Sequence, residues 1–129
     1  MERLTVGLRG AAAVQVTPAH TAAALGSGDV PVFGTPALVA LMEAAAVNAL
    51  AAYLPPEDTT VGTRFEVAHL AATPVGTGVR AEAELVAVEG RKLVFRVVAH
   101  DDRQTIGEGR HERMRVTRDR FLAKLGHAA

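Results

Sequence analysis

From Thr35 to Leu54 the chain carries a single charged side chain, Glu43, in a run that is otherwise almost wholly apolar. Thr35 reads as a helix N-cap and Pro36 as the first helical residue, where a missing N–H costs nothing. Pro55-Pro56 ends the run. A helix apolar on every side is normally buried. A buried carboxylate is costly unless it is paired or protonated. Glu43 is therefore expected to have a buried partner or a shifted pKa, and both are common where chemistry is done.

The segments around this helix alternate with period two. Val14-Gln15-Val16 ends a first strand, stopped by Thr17-Pro18, and the Gly- and Pro-rich stretch Leu25 to Gly34 is a loop. In Thr63 to Ala71, Phe65, Val67, His69 and Ala71 share one face. Val79 to Val88 alternates Arg80, Glu82 and Glu84 against Ala81, Ala83 and Leu85. Thr73-Pro74-Val75-Gly76 is a turn. Glu89-Gly90-Arg91 turns into a strand from Lys92 to His100, and Asp101-Asp102-Arg103 into one from Gln104 to Val116. Thr117 to Leu125 reads as a short amphipathic helix.

Tight turns imply an antiparallel sheet. An apolar helix needs cover on every side, and a curved antiparallel sheet wrapped round it supplies that cover. The expected class is α+β: a hotdog fold, five curved antiparallel strands round one long helix, in a single domain over 1–129. The sheet edges need pairing or cover, which two copies joined edge to edge would provide.

Composition narrows the picture. The chain has 129 residues, 49% hydrophobic and 4% aromatic, so the core is expected to use small and β-branched side chains. Net charge is zero, which removes a global electrostatic case for nucleic acid. Cysteine is absent, which excludes disulfides, thiolate zinc sites and a cysteine nucleophile. No basic start followed by an apolar block precedes Leu25, so no secretory signal is read. A charge at the centre of a membrane span costs roughly 2.5–3.5 kcal/mol, and the Glu43 helix is mostly alanine. A soluble cytoplasmic protein is expected.

Three residues could carry chemistry. His69 shares the core-side strand face with Phe65 and Val67. If the helix packs there, Glu43 and His69 approach the same interior, where a carboxylate raises the imidazole pKa and suits the pair to acid–base work. A core histidine with one structural hydrogen bond is the plainer alternative. Thr35 reads first as a cap. A helix start also offers free N–H groups to a developing oxyanion, and its hydroxyl would stand at the same spot. Glu43 lies ~12 Å further along the helix. A direct Thr35–Glu43 bond is therefore not expected; His69, a water, the substrate or a second subunit would have to stand between them. Gly62 could present a backbone N–H to an oxyanion, or simply turn the chain. His20, His100 and His111 show no metal-ligand spacing. Half of the Lys and Arg lie between Arg103 and Lys124. Arg110, Arg113, Arg115, Arg118 and Arg120 could meet the phosphates of a nucleotide-bearing thiol, or form a solvated edge with Glu108, Glu112 and Asp119.

Several blocks carry a resemblance. Phe33-Gly34-Thr35-Pro36 with Leu41-Met42-Glu43, His69-Leu70-Ala71-Ala72-Thr73-Pro74, Val88-Glu89-Gly90-Arg91, Ala99-His100-Asp101, and Ile106-Gly107-Glu108-Gly109 with His111-Glu112-Arg113 are among them. In this order they resemble the fluoroacetyl-CoA thioesterase-like group of hotdog-fold acyl-CoA thioesterases, from about Val14 to Phe121. The resemblance implies Thr35, Glu43 and His69 as catalytic residues, with Gly62 binding the acyl carbonyl through its backbone. Phe33 and Arg113 join Gly62 as substrate contacts. It implies hydrolysis of a short acyl-CoA without metal or organic cofactor, CoA being part of the substrate. A homodimer that could pair into a tetramer is implied too, with the site near the dimer interface. The match is weakest from Leu25 to Val32, where the fluoroacetyl-specific enzyme has an aromatic lid and this chain reads Gly26-Ser27-Gly28-Asp29-Val30-Pro31. A general short-chain thioesterase is the expectation. An acyl-CoA hydratase or dehydratase of the same fold and a non-catalytic acyl-CoA binding module are the alternatives.

Overall fold

The structure, a computed structural model, describes residues 4–126; the outermost three residues at each end of the expected 1–129 domain lie outside the described residues. The elements run β1 (Arg9–Gln15), a 3-10 turn (Pro18–His20), α1 (Ala22–Leu25) and α2 (Thr35–Leu50), then β2 (Asp58–His69), β3 (Gly78–Glu89), β4 (Lys92–His100), β5 (Thr105–Thr117) and α3 (Arg118–Lys124). The strands form one five-stranded sheet in the order β1-β3-β4-β5-β2, antiparallel at every step. It is a hotdog fold, with β1 and β2 at the edges and α2 on the inner face.

Local chemistry explains the connections. The β3–β4 hairpin closes from Glu89 to Lys92 with Gly90 in the left-handed region at φ 64°, a conformation glycine adopts without steric cost. The alternation in β3 buries Val79, Ala81, Ala83 and Leu85 on the helix side. Ala45, Ala46 and Ala49 of α2 are buried too, so small side chains face small side chains and the helix lies close to the sheet. Gly10 marks the closest approach, since a Cβ there would run into the backbone of Ala45 and Ala49.

The expected cover on every side of the helix is not what one chain provides. Leu38, Leu41, Met42, Ala45, Ala46, Ala49 and Leu50 are buried against the sheet. Pro36, Ala40, Ala44 and Val47, spaced four, four and three apart, form an exposed stripe, and Val47 is 44% exposed. The sheet covers one face of the helix and leaves this stripe uncovered. Helix α2 also ends at Leu50 rather than Leu54, and β2 begins at Asp58 rather than Thr63. Among the described residues no helix is long and apolar enough to cross a membrane.

Candidate active site

Gly34, not Thr35, is the N-cap of α2, and no side chain caps this end. The entering segment is pinned from two sides: the Phe33 N–H donates to the Thr73 carbonyl at 2.9 Å and the Gly34 N–H to the His20 carbonyl at 2.9 Å. Gly34 also packs against the Ala22 backbone, where a Cβ would lie a tight 3.0 Å from the Ala22 nitrogen. Thr35 thus starts the helix with its hydroxyl free of capping. That hydroxyl lies 2.8 Å from His69 Nδ1, at the far end of β2. Thr35 is exposed and His69 half-buried.

The His69 pKa is lowered from its ordinary 6.5, chiefly because burial disfavours the charged ring, with the Ala71 backbone pulling the other way. Its Nε2 is buried and lacks a hydrogen-bond partner among the described residues. The expected rise in this pKa from an adjacent Glu43 does not occur within one chain, because Glu43 stands elsewhere.

Glu43 finds its partners across the sheet. Arg113 Nη1 donates to Glu43 Oε2 at 3.1 Å, and His111 Nε2 lies 3.7 Å from the same oxygen. Arg113 also donates from Nε to Thr60 Oγ1 at 2.8 Å and from Nη2 to the Thr60 carbonyl at 3.1 Å. The Glu43 side chain is 39% exposed and that of Arg113 is 8% exposed. The carboxylate is therefore held from inside while one side faces solvent. Gly62 completes the group: a Cβ there would sit 2.6 Å from Glu43 Oε2 and 3.3 Å from Arg113 Nη1. Only a residue without a side chain leaves the carboxylate where it is.

One chain therefore holds two separate side-chain groups. Thr35 meets His69, and Glu43 meets Gly62, Arg113 and His111; the expected Glu43–His69 contact is not made within the chain. Phe33 is 1% exposed and part of the core, and Arg113 is 7% exposed with its donors engaged internally. Both are buried in the single chain. Arg113 is the support of Glu43.

His111 was not among the expected site residues. Its signal is an i, i+2 pair with Arg113 on the inner face of β5, opposite Phe65 and Gly62. An open cleft of about 260 Å³ lies over this group, with Val39, Glu43, Gly62, Phe65 and His111 in its wall. Among the described residues no cluster of His, Asp or Glu could hold a metal ion.

Residues 16–119 match the model of the fluoroacetyl-CoA-specific thioesterase family. The chain is 49% identical over 94 residues to the fluoroacetyl-CoA thioesterase of Streptantibioticus cattleyicolor, covering 73% of this chain and 68% of that protein. It superposes on a crystal structure of a mutant fluoroacetyl-CoA-specific thioesterase in complex with fluoroacetate and CoA. There the TM-score is 0.86 at 41% identity, over 92% of this chain and 99% of the other. A thioesterase superfamily member of Thermus thermophilus matches with a TM-score of 0.89 at 28% identity, over 98% and 93% of the two chains.

Proposed function

The chain belongs to the fluoroacetyl-CoA-specific thioesterase family, and we propose that it hydrolyses short-chain acyl-CoA thioesters to the free acid and CoA at a site shared by two copies. The observation that carries this reading is the division of the site along α2. The Thr35–His69 pair and the Glu43–Gly62 group are each built but stand ~12 Å apart along one helix. Val39 lies midway between Thr35 and Glu43. A two-fold axis near Val39 would bring Thr35 and His69 of one chain to the partner's Glu43, twice per dimer.

Two further features support a dimer. The stripe of Pro36, Ala40, Ala44 and Val47 is apolar and uncovered, and β2 is an edge strand of twelve residues with unpaired backbone groups along one side. Pairing β2 with its copy would satisfy that edge and cover the stripe together.

In this reading the thioester carbonyl lies between the two half-sites, with its oxygen on the Gly62 N–H. His69 Nδ1 takes the proton of the Thr35 hydroxyl as that oxygen adds to the carbonyl carbon. The same proton passes to sulfur as the C–S bond breaks and the thiol leaves. The partner's Glu43 then takes a proton from the water that attacks the acyl-threonine; as the ester bond breaks and the acid leaves, the partner's Glu43 gives that proton to the Thr35 oxygen and is a carboxylate again. The lowered His69 pKa suits a base that is uncharged at neutral pH. The stretch from Gly26 to Val32 has no aromatic residue, and Leu25 and Val30 are exposed, so no aromatic lid narrows the choice to a fluorinated acyl group.

Thiol release from fluoroacetyl-, acetyl-, propionyl- and longer acyl-CoA, followed colorimetrically, tests the reading. Release is expected with the short chains. No release above a His69→Ala background at any chain length overturns it.

A further inference from the structure

His111 is 1% exposed and lies beneath the Glu43 group without taking part in the reaction just described. Its ring stacks on Phe65 at 4.4 Å and faces Phe95 at 6.3 Å. Both ring nitrogens are engaged, and their partners dictate the tautomer. Nδ1 lies 2.8 Å from the Arg64 carbonyl, which can only accept, so Nδ1 carries the hydrogen. Nε2 lies 3.1 Å from Arg113 Nη1, which can only donate, so Nε2 is the bare nitrogen. Two independent partners require the same tautomer.

Those partners belong to two different parts of the site. Arg64 ends the bulge in β2, where the register against β5 shifts between Gly62 and Arg64. Arg113 Nη1 is the group that also donates to Glu43 Oε2. Building on the hydrolytic reading above, we propose that His111 is a positioning residue. Its ring fastens the bulge that presents Gly62 and the guanidinium that holds Glu43, and so sets carbonyl donor and carboxylate in register with each other.

The arrangement fails in one direction. A proton added at Nε2 would set a donor against the Arg113 donor. Glu43 Oε2, 3.7 Å away, would then be its nearest acceptor, and the carboxylate would be drawn inward. Burial holds the His111 pKa below 6.5, opposed by the Arg64 carbonyl, aided by the Arg113 charge and opposed again by Glu43 and Glu112. The ring is the acceptor the guanidinium needs near neutral pH and ceases to be one in acid.

Three variants separate the roles. His111→Phe keeps the stack and loses both hydrogen bonds. His111→Asn keeps a donor near Nδ1, and His111→Gln an acceptor near Nε2. In His111→Phe, kcat should fall roughly 10- to 100-fold with KM within about threefold, as displacement of a catalytic group does. His111→Gln should recover more of kcat than His111→Asn, with the acid limb that protonation of His69 imposes present in both variants. Long-range nitrogen–proton NMR on the wild-type chain should show His111 uncharged at pH 7 with its hydrogen on Nδ1. A folded His111→Phe with wild-type kcat overturns the proposal. So does a folded His111→Gln with no more kcat than His111→Asn if the Phe variant fails to fold. A hydrogen on Nε2 overturns it whether or not the wild type turns over, whereas absent wild-type thiol release with the expected tautomer removes the reaction alone.

Discussion

At the start of α2, Thr35 and His69 meet through one hydrogen bond, and the hydroxyl is exposed. Two turns along the same helix, Glu43 is held by Arg113, which is itself fixed by Thr60 and His111. The first group is open and can change partners as a proton moves. The second is a charged network whose guanidinium is buried, where removal of one member leaves another unsatisfied. The contrast fits a division of labour: a hydroxyl that gives up its proton at one end, and at the other a carboxylate held in place to take one from water. In the proposed reaction neither end suffices alone, since each lies about a dozen ångströms from the other along the helix.

Substitutions at the open end should cost the most activity with the least structural change. His69→Ala removes the base, and kcat/KM for acetyl-CoA is expected to fall roughly 10²- to 10⁴-fold, with an unchanged far-UV spectrum. At the fixed end, Gly62→Ala places a methyl group 2.6 Å from Glu43 Oε2. The displaced atom ends a flexible side chain, so a melting temperature close to wild type is expected. The carboxylate nevertheless moves, and kcat should drop by about 10²-fold. A Gly62→Ala enzyme with full activity would mean that the position of Glu43 is unimportant.

The smallest effect expected is on stability. His69 and His111 both have pKa values lowered from 6.5 by burial. Below that pH the unfolded chain binds more protons than the folded one, so acid favours unfolding. Their stabilisation is complete above pH 6.5 and is lost as pH falls from there through the folded pKa values. The melting temperature, followed by calorimetry, should be level from pH 7 to 8 and lower by about 2–5 °C at pH 5.5. His111→Phe should flatten part of that slope.

Much of the fold was legible because its signals are local. Gly90 sits in the hairpin where the alternation breaks, and Ala81, Ala83 and Leu85 fall on the buried face that their parity assigns. The pairing of Thr35 with His69 was within reach, because a helix start and an inward-facing strand residue both point to the interior. The partners of Glu43 were not. The bulge at Thr63 puts Gly62 and Phe65, three apart, opposite Arg113 and His111, two apart. A strict period of two therefore loses the strand before Thr63, and with it the register that delivers Arg113 to Glu43. The uncovered stripe of α2 was hidden for a different reason: hydropathy marks a helix face as apolar and does not say whether the same chain covers it.

Mixing two inactive variants tests the shared site most directly. Thr35→Ala and Glu43→Gln homodimers are each expected to be nearly inactive. After the two are unfolded together and refolded, half of the dimers should be mixed, each with one intact site formed by Thr35 of one chain and Glu43 of the other. Activity should return to about a quarter of wild type. No recovery, with mixed dimers confirmed by mass, would contradict a site divided between chains.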